Sequence, residues 1–416
     1  MPRTRRPAAA ALLAALAALA TSLPAAAEPV SVLFVGNSYT FGRVDPVMGY
    51  NAGHVRDLTA PMWAANPAGS NVFEPHPWGG VAGIFKQFTV QAGLDYDVAL
   101  STRNAASLRG HFLNTNAAGW DLRGNIGSQA WSKVVLQEQS DEPLARQPGL
   151  ASNPAWFSNY VDKIEDFLHG GAAQTYRERD FFGGSTAACQ AETGASATAC
   201  NTVRTVPANS FAAAATQVYL YQTWARPNLV DGAFASVTDE TTGAVTRTTT
   251  PAATFYRSLE TMTEDLRLAY GAAAALAGAD GTGGIAGIAP VGESFLRAVA
   301  SGIATRDFYG AGAGSDGRID LWFDDGTHAS SWGSYLGALT LYGTLTGLDP
   351  AGLGAGEVAA RDLGISAADA LALQRVASLQ LGFAVAPVPE PEMWALMLAG
   401  LGLVGARICR RGRRGA

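Results

Sequence analysis

Val30-Ser31-Val32-Leu33-Phe34-Val35-Gly36-Asn37-Ser38-Tyr39-Thr40 decides the fold. Val30 to Val35 is short, apolar and rich in β-branched residues, the pattern of a buried strand, and Gly36 ends it in a tight turn. Ser38 then projects from the strand end. A helix starting after Ser38 aims its amides at any anion formed beside that hydroxyl. Serine is also a favoured helix N-cap, so this segment alone leaves a structural and a chemical reading open.

Outward from it, three similar runs read as strands: Tyr96 to Ser101, Trp131 to Leu136 and Ile285 to Val291, with Val218 to Trp224 a more amphipathic candidate. Helical patterns separate them. Asn153-Pro154 supplies a cap and an N1 proline before Trp156, Tyr160, Val161, Ile164, Phe167 and Leu168, which share one apolar face. Thr254 to Ala275, Ser331 to Leu345, and Ser366 to Leu381 with Ser366 as its cap, read as further helices. Strands alternating with helices predict an α/β fold whose parallel sheet is covered on both faces, with ligands at the carboxyl ends of the strands. Gly170 to Asn209 and Asp231 to Thr250 break the alternation and read as surface insertions.

The 416 residues are 48% apolar and 15% charged, enough to bury a full core and too apolar for a disordered chain. Eight arginines crowd the two ends (Arg3, Arg5, Arg6, Arg407, Arg410, Arg411, Arg413, Arg414). With these and the tail acids Glu390 and Glu392 set aside, 21 basic residues face 33 acidic ones, a net of −12. A body of that sign repels phosphate backbones, which argues against nucleic acid as a partner.

Both ends read as addresses. Residues 1–27 join a basic start, an Ala/Leu run and Pro24-Ala25-Ala26-Ala27, the layout of a secretory signal peptide. The last stretch has Val388-Pro389-Glu390-Pro391, a nearly apolar Met393 to Val404 and then the arginines, so a short membrane-spanning helix stopped by cytoplasmic charge is expected, with the body outside. This arrangement resembles the PEP-CTERM sorting signal of Gram-negative bacteria. The resemblance implies an exosortase-type processing enzyme as partner, transient membrane association, and delivery to the cell surface or extracellular matrix. Of three cysteines, Cys409 sits in that tail, while Cys189 and Cys200 share one loop-rich segment and either pair in an oxidising compartment or stay free thiols. No spacing suits a metal site, and no cofactor is expected.

The chemistry gathers in a second signal, Asp324-Asp325-Gly326-Thr327-His328. A serine hydroxyl needs an imidazole to take its proton, and the imidazole needs a carboxylate to orient it. Asp325 and His328 supply both from one loop, with Asp324 the rival for the orienting role. Donors for an oxyanion are sought in Pro77-Trp78-Gly79-Gly80-Val81-Ala82-Gly83 and in Gln137-Glu138-Gln139-Ser140, both placed at strand ends.

Taken in order, Gly36-Asn37-Ser38, a glycine loop, an amide-bearing loop after a central strand and Asp325-x-x-His328 resemble the SGNH/GDSL hydrolases, over about residues 28–347. That family is similar in having a three-layer α/β/α sandwich with a flavodoxin-like parallel sheet and in hydrolysing esters. The resemblance implies Ser38 as nucleophile and first oxyanion amide, Gly80 as second amide, Gln139 as side-chain donor, His328 as base and Asp325 as its partner. Asn37 stands where the family has Asp, and Gln139 where most members have the shorter Asn, so Gln137 competes with Gln139 and Gly83 with Gly80. The chain then divides into a signal peptide (1–27), an SGNH-like domain (28–350) with insertions around 170–209 and 231–250, a helical extension (351–386) and a sorting segment (387–416). The function expected is a secreted serine esterase acting on O-acyl or O-acetyl esters of a small molecule or an extracellular polysaccharide. Two alternatives are an O-acyltransferase using the same serine, and a non-catalytic glycan binder presenting Trp63, Trp78, Trp120, Trp224 or Trp322.

Overall fold

The computed structural model describes residues 28–113, 120–230, 234–238, 245–251, 254–306 and 316–383. The signal peptide and the sorting segment expected at the two ends lie outside these residues, and so does the apolar stretch Met393 to Val404. Among the described residues no helix is long and apolar enough to cross a membrane.

Ten strands are described: β1 (Val30–Gly36), β2 (Arg56–Asp57), β3 (Tyr96–Thr102), β4 (Lys133–Gln137), β5 (Gln174–Arg177), β6 (Val203–Val206), β7 (Gln217–Tyr221), β8 (Phe234–Thr238), β9 (Val245–Pro251) and β10 (Ile285–Ala289). Six form one sheet in the order β10-β7-β4-β1-β3-β2, with every pairing parallel. Apart from the two-residue edge strand β2, this is the flavodoxin-like order. Val32, Leu33, Phe34 and Val35 have no exposed surface, as expected of a strand flanked on both sides and covered on both faces. Burying each such side chain is worth about 1.5–3 kcal/mol, so β1 is the best anchored element near the chemistry.

The strand order reverses at β1: the chain next fills the β3 side, then crosses to β4, β7 and β10. Such a switch point opens a crevice at the carboxyl ends of the adjacent strands. Ser38 follows β1 and Gln139 follows β4, so the fold delivers both to that crevice.

The helices form as the sequence predicts wherever a cap is legible. Asn153 Oδ1 accepts from Trp156 N (3.2 Å) at the head of Pro154–His169, and Ser366 Oγ accepts from Asp369 N (3.1 Å) at the head of Ala367–Gln380. The glycine-rich Pro77 to Gly83 run differs from its reading as a loop, because Gly80 already opens the helix Gly80–Gln91. The helix Val291–Ala300 also went unread; it starts directly after Pro290, inside the run assigned to a strand.

Between residues 170 and 209 lie an antiparallel β5–β6 pair and the short helices Thr186–Thr193 and Ala197–Asn201, joined by a Cys189–Cys200 disulfide. Pairing is thus the outcome for these two cysteines. The segment is pinned to the body by the fully buried Glu178, which receives Arg109 Nε (2.6 Å) and the Tyr160 hydroxyl (2.7 Å). Arg146 reaches the carbonyl of Ala191 (2.7 Å), and Asn153 that of Thr193 (2.7 Å), so the insertion also grips the chain leaving β4.

Candidate active site

The turn after β1 is held from three sides. Asn37 caps the short helix Ser38–Phe41 by accepting from Tyr39 N (3.1 Å). Its Nδ2 donates to the carbonyl of Ala106 (3.0 Å) in the loop after β3. Its backbone N donates to Gln137 Oε1 (2.9 Å) at the end of β4, the same oxygen that receives Thr40 Oγ1 (2.8 Å). Gly36 is required here, since a Cβ would stand 2.4 Å from that Gln137 oxygen. Below the turn, His111 lies fully buried with Nε2 2.8 Å from the Gly36 carbonyl; burial pushes its pKa down to about 4, so a neutral ring donates this bond.

Ser38 Oγ lies 2.9 Å from His328 Nε2, and His328 Nδ1 lies 2.6 Å from Asp325 Oδ2. The carboxylate accepts, so Nδ1 carries the proton and Nε2 is left to accept from the serine hydroxyl. Asp325 Oδ1 takes the amides of Thr327 (2.8 Å) and His328 (2.9 Å). Burial opposes the charge on Asp325, but the His328 bond and these amides outweigh it and hold the carboxyl below its usual range. The carboxylate on the imidazole is therefore that of Asp325 and not its rival Asp324.

An aromatic stack carries the Asp325–His328 loop. Tyr39 and Trp224 lie face to face with centroids 4.1 Å apart, and Trp224 stacks in turn on Phe295 at 4.8 Å. Both Tyr39 Oη (2.8 Å) and Trp224 Nε1 (3.0 Å) donate to the Thr327 carbonyl. Arg226 bonds Ser140 Oγ (2.9 Å) and lies 3.6 Å from Asp141, which steadies the loop after β4. Sequence reasoning missed Trp224, Arg226 and His111 as supports because no local spacing links them to Ser38, and Tyr39, the next residue, because its partners Trp224 and Thr327 are distant in sequence.

The expected oxyanion donors separate. Ser38 N is the first amide of its helix and has no intrahelical acceptor. Gln137 is consumed: its oxygen holds the Ser38 turn and its Nε2 donates to the Glu138 carbonyl. Gln139 is half-buried; its Oε1 accepts from Asp141 N (3.1 Å), and its Nε2 has no partner among the described residues. Gly80 and Gly83 have a different reason to be glycine. A Cβ on Gly80 would stand 2.4 Å from the Phe41 carbonyl oxygen, and one on Gly83 2.2 Å from that of Tyr50. Both let a helix close on neighbouring backbone. The loop after β3 instead offers Ala105, exposed, at φ 54°, one residue from the carbonyl that Asn37 grips.

Of the tryptophans named as sugar platforms, Trp78, Trp120, Trp224 and Trp322 are buried, and Trp63 is half-buried. For metals, one group among the described residues, Glu165, Asp166 and Asp280, sits close enough to share an ion. Glu165 is already engaged by His169, Thr282 Oγ1 (2.7 Å) and Gly284 N.

Compared with known proteins, residues 387–414 match the PEP-CTERM protein-sorting motif. That motif marks export and cell-surface sorting in Gram-negative bacteria and processing by an exosortase-type enzyme. No curated protein matches the chain in sequence. Solved structures similar to it include a protein from Slackia heliotrinireducens assigned as an SGNH hydrolase (16% identity, 76% of this chain and 99% of that one, TM-score 0.37). A DUF4886 family protein from Bacteroides uniformis is similar at 12% identity, over 85% of this chain and 94% of that one, with a TM-score of 0.38. TesA is similar at 12% identity, over 76% and 98%, with a TM-score of 0.35.

Proposed function

We propose that the mature protein is an exported serine ester hydrolase working by acyl transfer. The observation that carries this reading is the unbroken chain of bonds from Ser38 Oγ through His328 to Asp325. Ser38 Oγ attacks the ester carbonyl while His328 Nε2 takes its proton. The negative oxygen that forms is received by the Ser38 amide and by Gln139 Nε2. For the second backbone amide, Gly83 N is already bonded to the Gly79 carbonyl (2.8 Å), which leaves Gly80 and, beside it, the loop of Ala105, which Asn37 ties to the Ser38 turn. His328 then passes its proton to the leaving alcohol, and water deacylates Ser38 by the same route in reverse.

The substrate is an O-acyl or O-acetyl ester of extracellular polysaccharide. This finer reading is supported by where the sorting motif sends the protein, and by a net-acidic body with no stripe for nucleic acid.

Turnover of acetyl to octanoyl p-nitrophenyl esters is expected for the wild type, with Ser38→Ala lower by at least about 10⁴-fold. A fluorophosphonate probe is expected to label Ser38 on peptide mapping. Equal turnover by wild type and Ser38→Ala overturns the proposal. Product analysis with an acceptor glycan present identifies transfer, because only transfer raises the ester content of the acceptor.

A further inference from the structure

Two loops flank the nucleophile, one leaving β3 and one leaving β4, and a single buried side chain joins them. Glu138 Oε1 accepts from Leu108 N (3.0 Å), at the head of the helix Leu108–Leu113, and from Gln139 N (2.6 Å). The residue is 1% exposed. Asn37 meets the same two loops from the front, through Gln137 Oε1 and the Ala106 carbonyl. The bonds therefore close a ring: Asn37 to Gln137, on to Glu138, across to Leu108, back along the chain to Ala106, and to Asn37 again. Ser38 is the next residue after Asn37, and Gln139 hangs from the Glu138 end of the ring.

We infer that Glu138 is a positioning residue: its Oε1 fixes the spacing of the two loops and thereby the aim of Gln139 at the oxyanion formed on Ser38. This rests on the ester-hydrolase reading of the site. The role asks for an acceptor oxygen and not for a charge. Burial, with Glu142 nearby, raises the Glu138 pKa well above the usual range. Glutamine keeps the oxygen and the shape; leucine keeps only the bulk.

Glu138→Leu is expected to lower kcat on a short-chain p-nitrophenyl ester by about 10²-fold, the cost of a misdirected oxyanion donor, with KM within about threefold. Fluorophosphonate labelling of Ser38 is expected to slow in parallel. Glu138→Gln is expected to stay within about threefold of wild type in both assays. A folded Glu138→Leu with wild-type kcat, or a Glu138→Gln as impaired as Glu138→Leu, overturns the inference while leaving the hydrolase reading intact. If Glu138→Leu does not fold, amide exchange in the wild type decides: the Leu108 and Gln139 amides are expected to be slowed by about 10²-fold or more, and fast exchange at either overturns the inference. A wild type with neither turnover nor label overturns the hydrolase reading, and the positioning role falls with it.

Discussion

Asp325 accepts three hydrogen bonds from its own loop: one oxygen takes two backbone amides, the other the imidazole. The same carboxylate thus shapes the loop and orients the base. Asp325→Ala is expected to lower kcat by about 10²–10⁴-fold in a steady-state assay. Because the folded pKa is depressed, the stability Asp325 contributes is complete above the unfolded carboxyl value near ~3.9. It is lost as pH falls through the folded value. Thermal melts of wild type and Asp325→Asn are expected to show a gap at pH 7 that narrows by about pH 3. A gap unchanged by pH would contradict this account. The meeting of Ser38, Asp325 and His328 was legible because Asp325 and His328 share one loop motif and Ser38 ends the first strand, although that first segment alone left a helix-cap reading open. The choice between Gln137 and Gln139 was not legible. Both are strand-end amides two residues apart, and only the packing of Gly36 against one of them settles which is consumed.

Helices and strands make this site through contacts that individual motifs do not reveal. Gly80 opens its helix at φ 59°, pressed against the backbone of Phe41, the last residue of the helix that Ser38 begins. Gly80→Ala is expected to destabilise the protein by about 1–3 kcal/mol, from the left-handed backbone and the clash together. It is also expected to lower kcat, because the displaced backbone belongs to the nucleophile's own helix. Calorimetry with parallel kinetics checks both, and a wild-type melting temperature would refute it. Of the six strands in the parallel sheet, β1, β3, β4 and β10 were read to within two residues and β7 to within three, because continuous β-branched runs have few other homes. The edge strand β2 was not, since two residues carry no periodicity. The helix at Gly80 was hidden because its glycines, needed for close approach, resemble those of a loop.

At the scale of the whole molecule, the insertion between 170 and 209 clamps the chain that leaves β4, and the Cys189–Cys200 bond closes an 11-residue span within it. Constraining a loop of that size lowers unfolded-state entropy by the equivalent of about 3 kcal/mol. The double variant Cys189→Ser, Cys200→Ser is therefore expected to unfold at lower denaturant concentration by roughly that amount, and an unchanged midpoint would show that the clamp does not need its bridge. The sheet order was legible only as a class, since strand neighbours are set by which surfaces meet and not by their order along the chain.

The hydroxyl and the imidazole that meet at 2.9 Å stand 290 positions apart. A polypeptide leaving the cell amino end first therefore releases Ser38 long before His328. Under the proposed hydrolase function a half-delivered or clipped copy is expected to be chemically silent, with cleavage arising only once nearly the whole body has arrived and closed on itself.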